Sequence, residues 1–331
     1  VKTLLLTERE VAPLLTMGEV MEAVESAFRE KGLGRVQMPA KPYLHYARYN
    51  GDLRAMPSYL EELDISAVKV VNSHPDNPRK HGLPTVMATI ILAEPESGAP
   101  IAIMGGTLIT ALRTGAAGGV AAKYLARKES RVVGLVGAGA QARTQLTALL
   151  TLYGRLEEVR VWSRTEETRE RYVADMKPKV GDATEIVPVE TVKDAVEGAD
   201  IVVTTTPSRE PLVSVEWVAQ GTHISCIGAD APGKEELDSA ILKRAKVVVD
   251  DWEQSSHGGE INVPLAKGLI SRRDVWAEIG EVVAGLKPGR TSPEEVTVFV
   301  STGLAVQDAV TADLAYRKAL EKGVGRLIEF A

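Results

Sequence analysis

The chain of 331 residues holds one cysteine, Cys226, so no disulfide can form within it. That fits a reducing compartment, although secreted chains can also lack cysteine. A basic surplus is missing too: 39 Lys and Arg stand against 45 Asp and Glu, a net charge of −6. Phosphate backbones call for such a surplus, so no nucleic acid partner is expected. Long apolar runs are absent. The longest, Val86 to Ala93, is broken by Thr89 and is far too short to cross a bilayer. The opening stretch Val1-Lys2-Thr3-Leu4-Leu5-Leu6-Thr7 runs straight into Glu8-Arg9-Glu10, which does not read as a signal peptide. The expected location is the cytoplasm, with no membrane partner. There is no internal repeat and no low-complexity segment. Zinc-type spacing is missing as well: His74 with Asp76, and His257 with Glu260, fit neither H-x-x-x-H nor C-x-x-C, so no metal is expected. Ser255 and Ser256 beside His257 lack a nucleophile elbow. Cys226 lies in an apolar strand segment and reads as inert.

What is present looks like an ordinary globular chain of about two domains. Hydrophobic residues make up 44% and charged residues 25%, which excludes a disordered, collagenous or coiled-coil chain. The first third reads as a short strand at 3–7, an amphipathic helix at 17–31 and strands at 43–48, 52–56, 65–72, 85–93 and 101–104. Val20, Val24, Ala27 and Phe28 share one helix face. Turn signals such as Asn50-Gly51 and Pro75-Asp76-Asn77-Pro78 separate the strands, suggesting an antiparallel meander. Residues 107–127, rich in Ala and Gly, read as a closely packed helix. From Arg131 strand and helix alternate up to a strand at 296–301 and a last helix at 304–322, the pattern of a parallel sheet covered on both faces.

One strand leads into Gly137-Ala138-Gly139-Ala140-Gln141-Ala142, a match to G-x-G-x-x-A. Gly137 suits the tight turn and Gly139 lets backbone approach a pyrophosphate. The helix opening at Ala140 and Gln141 offers free N–H groups to it. A second strand at 158–162 completes a βαβ unit, so a dinucleotide cofactor is expected. An NAD site usually ends that second strand with an acid. Ser163-Arg164-Thr165 stands there instead, which suits a 2′-phosphate and favours NADP over NAD, while Glu166 and Glu167 nearby weaken the preference. Arg164 as a solvated side chain is the alternative. Thr206, at the end of the strand read at 200–206, joins the cofactor-binding candidates.

Cations stand where a solvated face is not expected. Lys69 shares a strand face with Ala67 and Val71, and its ammonium needs water or an anion there. Arg113 lies among small residues. Lys41 follows Pro39-Ala40, and Arg54 precedes Ala55-Met56-Pro57. Each can bind a substrate carboxylate, or be a salt bridge or a snorkelling stem. Asp230 follows an apolar strand and the turn Gly228-Ala229, where ligands of open α/β sheets bind, and suits proton transfer. A turn or cap aspartate is the other reading.

Across nearly its whole length the chain resembles the ornithine cyclodeaminase/μ-crystallin family, with the archaeal-type alanine dehydrogenase branch the best match. The resemblance is carried by Gly51-Asp52-Leu53-Arg54-Ala55-Met56-Pro57, Val71-Asn72-Ser73-His74-Pro75, Ala111-Leu112-Arg113-Thr114-Gly115-Ala116-Ala117 and Gly137-Ala138-Gly139-Ala140-Gln141. It continues in Gly228-Ala229-Asp230-Ala231-Pro232-Gly233-Lys234, His257-Gly258-Gly259-Glu260-Ile261 and Ser301-Thr302-Gly303-Leu304-Ala305-Val306-Gln307-Asp308. It implies an α/β fold: a Rossmann domain at 118–304 and a discontinuous α+β dimerisation and substrate domain at 1–117 with 305–331, hence a homodimer. It also implies that Lys69, Arg113 and Lys41 surround a substrate carboxylate, that Asp230 is the catalytic acid/base, and that Thr114 and Ser301 lie near the cofactor. Ornithine cyclodeaminases carry an acid where this chain has Arg54, which suits a short amino acid better than a distal ammonium. The expectation is an NAD(P)-dependent amino-acid dehydrogenase, with L-alanine as leading substrate and Asp230 and Lys69 as catalytic residues. A cyclising deaminase of ornithine, an NADP-dependent ketimine reductase and a small-ligand binding protein are the alternatives.

Overall fold

The computed structural model describes residues 1–329. The chain divides into two compact units, Val1–Arg113 with the segment from Leu304 onward, and Thr114–Gly303.

The first unit holds strands β1 (Lys2–Leu6), β2 (Val36–Gln37), β3 (Tyr43–Tyr46), β4 (Gly51–Leu60), β5 (Ile65–Ser73), β6 (Val86–Ala93) and β7 (Pro100–Gly105). Its helix α1 spans Met17–Gly32. Thr16 and Glu19 form a capping box at the start of α1, and Val20, Val24, Ala27 and Phe28 are all buried. Strands β4 to β7 form the expected antiparallel meander. Strand β4 runs beyond the expected end at Met56, through Pro57. Its outer edge pairs with β3 only at 51–54 and with β2 only at 59–60, so proline's missing N–H falls where no ladder bond is due. Strand β1 departs from the meander and runs parallel to β7. Alternation then sets the faces. Met56, Ser58 and Leu60 of β4 are buried, as are Ile65, Ala67, Lys69 and Val71 of β5.

Helix α2 (Thr107–Leu125) carries the chain into the second unit. There β8 (Val132–Val136), β9 (Glu158–Trp162), β10 (Glu185–Pro188), β11 (Ile201–Thr204), β12 (His223–Cys226), β13 (Lys246–Val249), β14 (Val275–Glu278) and β15 (Thr297–Val300) form one sheet. Their order is β10-β9-β8-β11-β12-β15-β13-β14, and every pairing is parallel. Strands β11, β12 and β15 are buried at every position, as a sheet covered on both faces requires. Helices α3 (Ala140–Tyr153) and α4 (Glu166–Val180) follow β8 and β9. A Cβ on Gly115 of α2 would come within 2.6 Å of the Thr144 carbonyl oxygen, which explains the small residues of that helix. The order reverses between β8 and β11, and such a switch point opens a crevice at the carboxyl ends of the strands.

The chain then returns to the first unit through α5 (Ala305–Lys322) and β16 (Arg326–Glu329), which pairs antiparallel with β1. Helix α5 packs on α1 and on β4, β5 and β6. The fold is α/β, a Rossmann unit with a discontinuous α+β unit. Among the described residues no helix is long and apolar enough to cross a membrane.

Candidate active site

In the second unit, a cleft of about 460 Å³ opens at the switch point. Gly137, Gly139, Ser163, Arg164, Thr165 and Thr206 all line it, together with Trp162, Thr168, Thr205 and Ser208. Gly137 has φ +115°, and a Cβ there would strike the Thr205 side chain. Gly139 caps α3 in extended conformation, with open space where a Cβ would stand. Backbone can therefore come close to a ligand at the helix N-terminus, the fit a pyrophosphate requires. Ala140 and Gln141 form the first turn of α3.

Ser163, Arg164 and Thr165 are unequal in what they offer. Arg164 is exposed at the rim. The Thr165 hydroxyl caps α4, accepting from the Thr168 amide at 3.4 Å and sharing a 2.7 Å hydrogen bond with the Thr168 hydroxyl. No acidic side chain lines the cleft. The polar groups of Thr206 are already engaged: its amide and hydroxyl donate to Glu236 Oε1 at 2.6 and 2.7 Å. Thr114 and Ser301, expected near the cofactor, are buried and do not line this cleft. The Thr114 carbonyl accepts from Gln145 Nε2 at 2.8 Å, and the Ser301 amide donates to the Cys226 carbonyl at 3.0 Å.

Asp230 follows the carboxyl end of β12, and its side chain is partly exposed. Its Oδ1 accepts from Lys234 Nζ at 2.6 Å. The helix-cap alternative falls away, because Asp238 caps the next helix, Ser239–Arg244. His223 is buried between Thr297 and Ser225, and burial pushes its pKa down to about 3, so it stays neutral. Cys226 is buried, and burial raises its thiol pKa, in keeping with an inert residue.

The first unit gathers the cations around an acid that the sequence reading left without a role. Lys69 Nζ lies 2.7 Å from Asp308 Oδ2 on α5, and Arg113 Nε lies 2.9 Å from Asp308 Oδ1. Arg113 Nη1 donates to Gln307 Oε1 at 2.8 Å. All three charged side chains are buried. The Lys69–Asp308 contact is an ion pair whose direction completes no hydrogen bond. Two cations thus share one carboxylate. Burial, then the Arg113 charge, pull the Lys69 pKa down to about 7, while Asp308 resists and Lys41 adds to the fall.

Arg54 stands opposite Val71 and Met56 opposite Lys69, so Arg54 and Lys69 share one sheet face. Arg54 is already engaged: Nε and Nη2 donate to both Asp52 carboxylate oxygens at 3.0 Å, and its guanidinium stacks over Tyr43 at 5.0 Å. Asp308 left a signal in the sequence. It sits in a run of buried apolar and small residues at the start of α5, where a carboxylate needs a cation. Glu236 and Asp250 are buried acids given no role in the sequence, and Glu260, weighed there only as a metal ligand with His257, is buried as well. Asp250 receives the amides of Thr302 and Gly303, at 2.5 and 2.8 Å, and fixes the loop after β15.

Residues 1–323 match the model of the ornithine cyclodeaminase/mu-crystallin family. The chain is 53% identical over 329 residues to an alanine dehydrogenase of Archaeoglobus fulgidus, covering 99% of each. It matches the structure of an archaeal alanine dehydrogenase dimer with bound NAD at a TM-score of 0.94 and 52% identity, with 100% of both chains covered. A Δ1-pyrroline-2-carboxylate reductase of Thermococcus litoralis, in complex with NADH and L-proline, is matched at a TM-score of 0.94 and 43% identity over 98% of this chain and 100% of that one.

Proposed function

The chain belongs to the ornithine cyclodeaminase/mu-crystallin family, and on that premise we propose that it is a nicotinamide-dinucleotide-dependent amino-acid dehydrogenase acting on L-alanine. The observation that carries this reading is the buried pair of cations, Lys69 and Arg113, with one carboxylate between them. Desolvated positive charge in excess of its counter-ion favours an incoming anion. A substrate carboxylate supplies that charge, and Arg113 can offer it further N–H donors. Lys41 adds positive potential, as its effect on Lys69 indicates. Arg54 gives a second hold while Asp52 keeps its guanidinium in place.

The net reaction is L-alanine, oxidised dinucleotide and water going to pyruvate, ammonium, reduced dinucleotide and a proton. A dinucleotide bound in the cleft would supply the acceptor for the hydride that leaves the substrate Cα. Gly137 and Gly139 with the first turn of α3 would hold its pyrophosphate, and Ser163, Arg164 and Thr165 would meet its ribose. Asp230 orients the water that adds to the imino acid and accepts its proton. Lys69, with a pKa near 7, holds the carboxylate when charged and can take part in proton transfer when neutral. An exposed Arg164 and the lack of a lining acid support NADP; the NAD and NADH in the relatives' structures leave NAD as the alternative.

Residues 1–117 with 305–331 are read as the substrate and dimerisation part, and 118–304 as the cofactor part. The sheet face opposite Lys69 leaves Val68, Ile91 and Ile103 half-buried and Val70 exposed, a surface suited to a second copy of the chain. The lone, buried Cys226 suits a reducing compartment, which supports the cytoplasm as the proposed location.

The test is oxidation of NADH and of NADPH with pyruvate and ammonia. Ammonia-dependent loss of reduced-cofactor absorbance is expected. No loss with either cofactor overturns alanine as substrate. The 43% identity to a pyrroline-2-carboxylate reductase favours that imine as the second substrate to try.

A further inference from the structure

Behind the dinucleotide cleft lie two buried carboxyl groups with very different surroundings. Glu236 receives four hydrogen bonds: the Thr204 hydroxyl at 2.7 Å and the Gly228 amide at 3.1 Å on Oε2, and the Thr206 amide and hydroxyl at 2.6 and 2.7 Å on Oε1. That set fills the acceptor capacity of an ionised carboxylate. Glu260 Oε1 accepts the backbone amides of Glu236 and Leu237 at 2.8 and 2.7 Å, while its Oε2 is buried without a partner. An oxygen in that position is better occupied by a proton than by a charge.

The four donors to Glu236 come from two places. Thr204 and Thr206 stand at and just beyond the end of β11, where Thr206 lines the cleft. Gly228 stands beyond β12, two residues before Asp230. These loops touch: a Cβ on Gly228 would strike the Thr206 backbone and come within 2.7 Å of Glu236 Oε2. Glu260, in turn, fixes Glu236 through its backbone.

We propose that Glu236 is a positioning residue of the dinucleotide site, an ionised carboxylate that fastens the ends of β11 and β12 together, with protonated Glu260 holding it in place. The proposal rests on the dinucleotide reading of the cleft. Burial and the neighbouring Glu236 charge raise the Glu260 pKa, and burial raises that of Glu236 against its hydrogen bonds. Glu235, ion-paired to Lys267 at 3.1 Å, also pushes the Glu260 pKa up, and the buried Cys226 thiol feels the Glu260 charge.

The roles separate on substitution. Glu236→Gln turns one acceptor oxygen into a donor that faces the donors of Thr204 and Gly228, or of Thr206. Glu260→Gln keeps an acceptor for the two amides and replaces a neutral group by a neutral group. Thr204→Val removes one donor to Glu236 from a buried residue that does not line the cleft. The experiment measures dissociation constants of NADH and NADPH by fluorescence, at a temperature where melting curves show every variant folded. Glu236→Gln is expected to weaken binding by roughly tenfold or more, and Thr204→Val by about threefold. Glu260→Gln is expected to leave binding near wild type. Unchanged binding in both Glu236→Gln and Thr204→Val overturns the positioning role, even if both melt lower. If Glu236→Gln does not fold, Thr204→Val alone decides. Equal loss in Glu260→Gln and Glu236→Gln overturns the proton assignment. A wild-type protein that binds neither dinucleotide overturns the cofactor reading and this inference with it, whereas normal wild-type binding with unchanged variants overturns this inference alone.

Discussion

The two units bury charge in opposite ways. In the first, Lys69 and Arg113 converge on Asp308, so positive charge exceeds its internal partner. In the second, Glu236 and Glu260 lie close with no cation between them, and hydroxyl and amide donors satisfy Glu236 instead. With Lys69 charged, the first arrangement carries one positive charge more than its internal acid balances, which on the proposed reading a substrate anion supplies. In the second, Glu236 is saturated by its own donors, and its hydrogen bonds go to loop position. On the proposed reading, a buried charge left under-compensated marks a place for a ligand, whereas one saturated by hydroxyl and amide donors marks a structural fastening.

Removing the single internal anion of the first cluster breaks this comparison most forcefully. Asp308→Ala leaves two cations buried without a counter-ion, which costs about 3–5 kcal/mol for a broken buried pair. The expected result in thermal melting is a large drop in midpoint together with lost activity. A midpoint equal to wild type would mean that water or an ion already screens these side chains.

Asp230→Asn tests the second unit without touching its buried carboxyls. The amide keeps the size of the side chain and cannot accept the proton. Turnover of pyruvate and ammonia is expected to fall by about 10²–10⁴, with dinucleotide affinity unchanged. Unchanged turnover would remove Asp230 from the chemistry, and a parallel loss of dinucleotide affinity would make it a binding residue.

Much of the fold that carries this contrast is legible in the sequence, the contrast itself is not, and the reasons are physical. Helix 140–153, the meander strands and the glycine turn follow from short-range periodicity and turn chemistry, which a sequence carries locally. Strands β14 and β16 were not read. The first is a four-residue edge strand with Trp276 exposed, and the second is an edge strand whose Leu327 is exposed, so neither shows clean alternation. Lys69 and Arg113 stood out because each interrupts an apolar or small-residue run. Their meeting on Asp308 spans 239 and 195 positions of sequence, a tertiary fact that no local pattern encodes. Thr206 shows the converse: its position in the cleft was expected, but the direction of its hydroxyl depends on Glu236, thirty positions away.

Lys69 sharpens the comparison through pH. Its folded pKa, near 7, lies below the ordinary value of 10.5, so the charged form is disfavoured by folding. The unfolded chain holds this proton more tightly, and the cost to stability is full below the folded value and fades as pH rises toward the unfolded one. Lys69→Met is therefore expected to melt no lower than wild type while losing substrate affinity. Of the two forms of Lys69, the ammonium attracts a carboxylate and the neutral amine does not. Pyruvate affinity is expected to be flat below neutrality and then to fall by up to about tenfold per pH unit above it. Lys69→Met should abolish that bend. A wild-type profile flat from acid to alkaline pH would show that Arg113 holds the anion alone.

The smallest effect is expected at the rim of the cleft, where Arg164 is exposed and its charge is screened by water. A 2′-phosphate contributes two acceptor oxygens that Arg164 can meet in a bidentate fork, and a ribose hydroxyl does not. Arg164→Ala should therefore weaken NADPH by about three- to tenfold and leave NADH nearly untouched. The loss should shrink as salt is raised, because an exposed ion pair is screened over about 10 Å at 0.1 M ionic strength. Equal, small losses for both cofactors would leave Ser163 and the shape of the β9 turn to set the preference, and would make Arg164 a solvated side chain. A loss confined to NADPH would make the contrast with the first unit quantitative: the buried cation would govern whether an anion binds at all, and the exposed one would adjust which of two anions binds better.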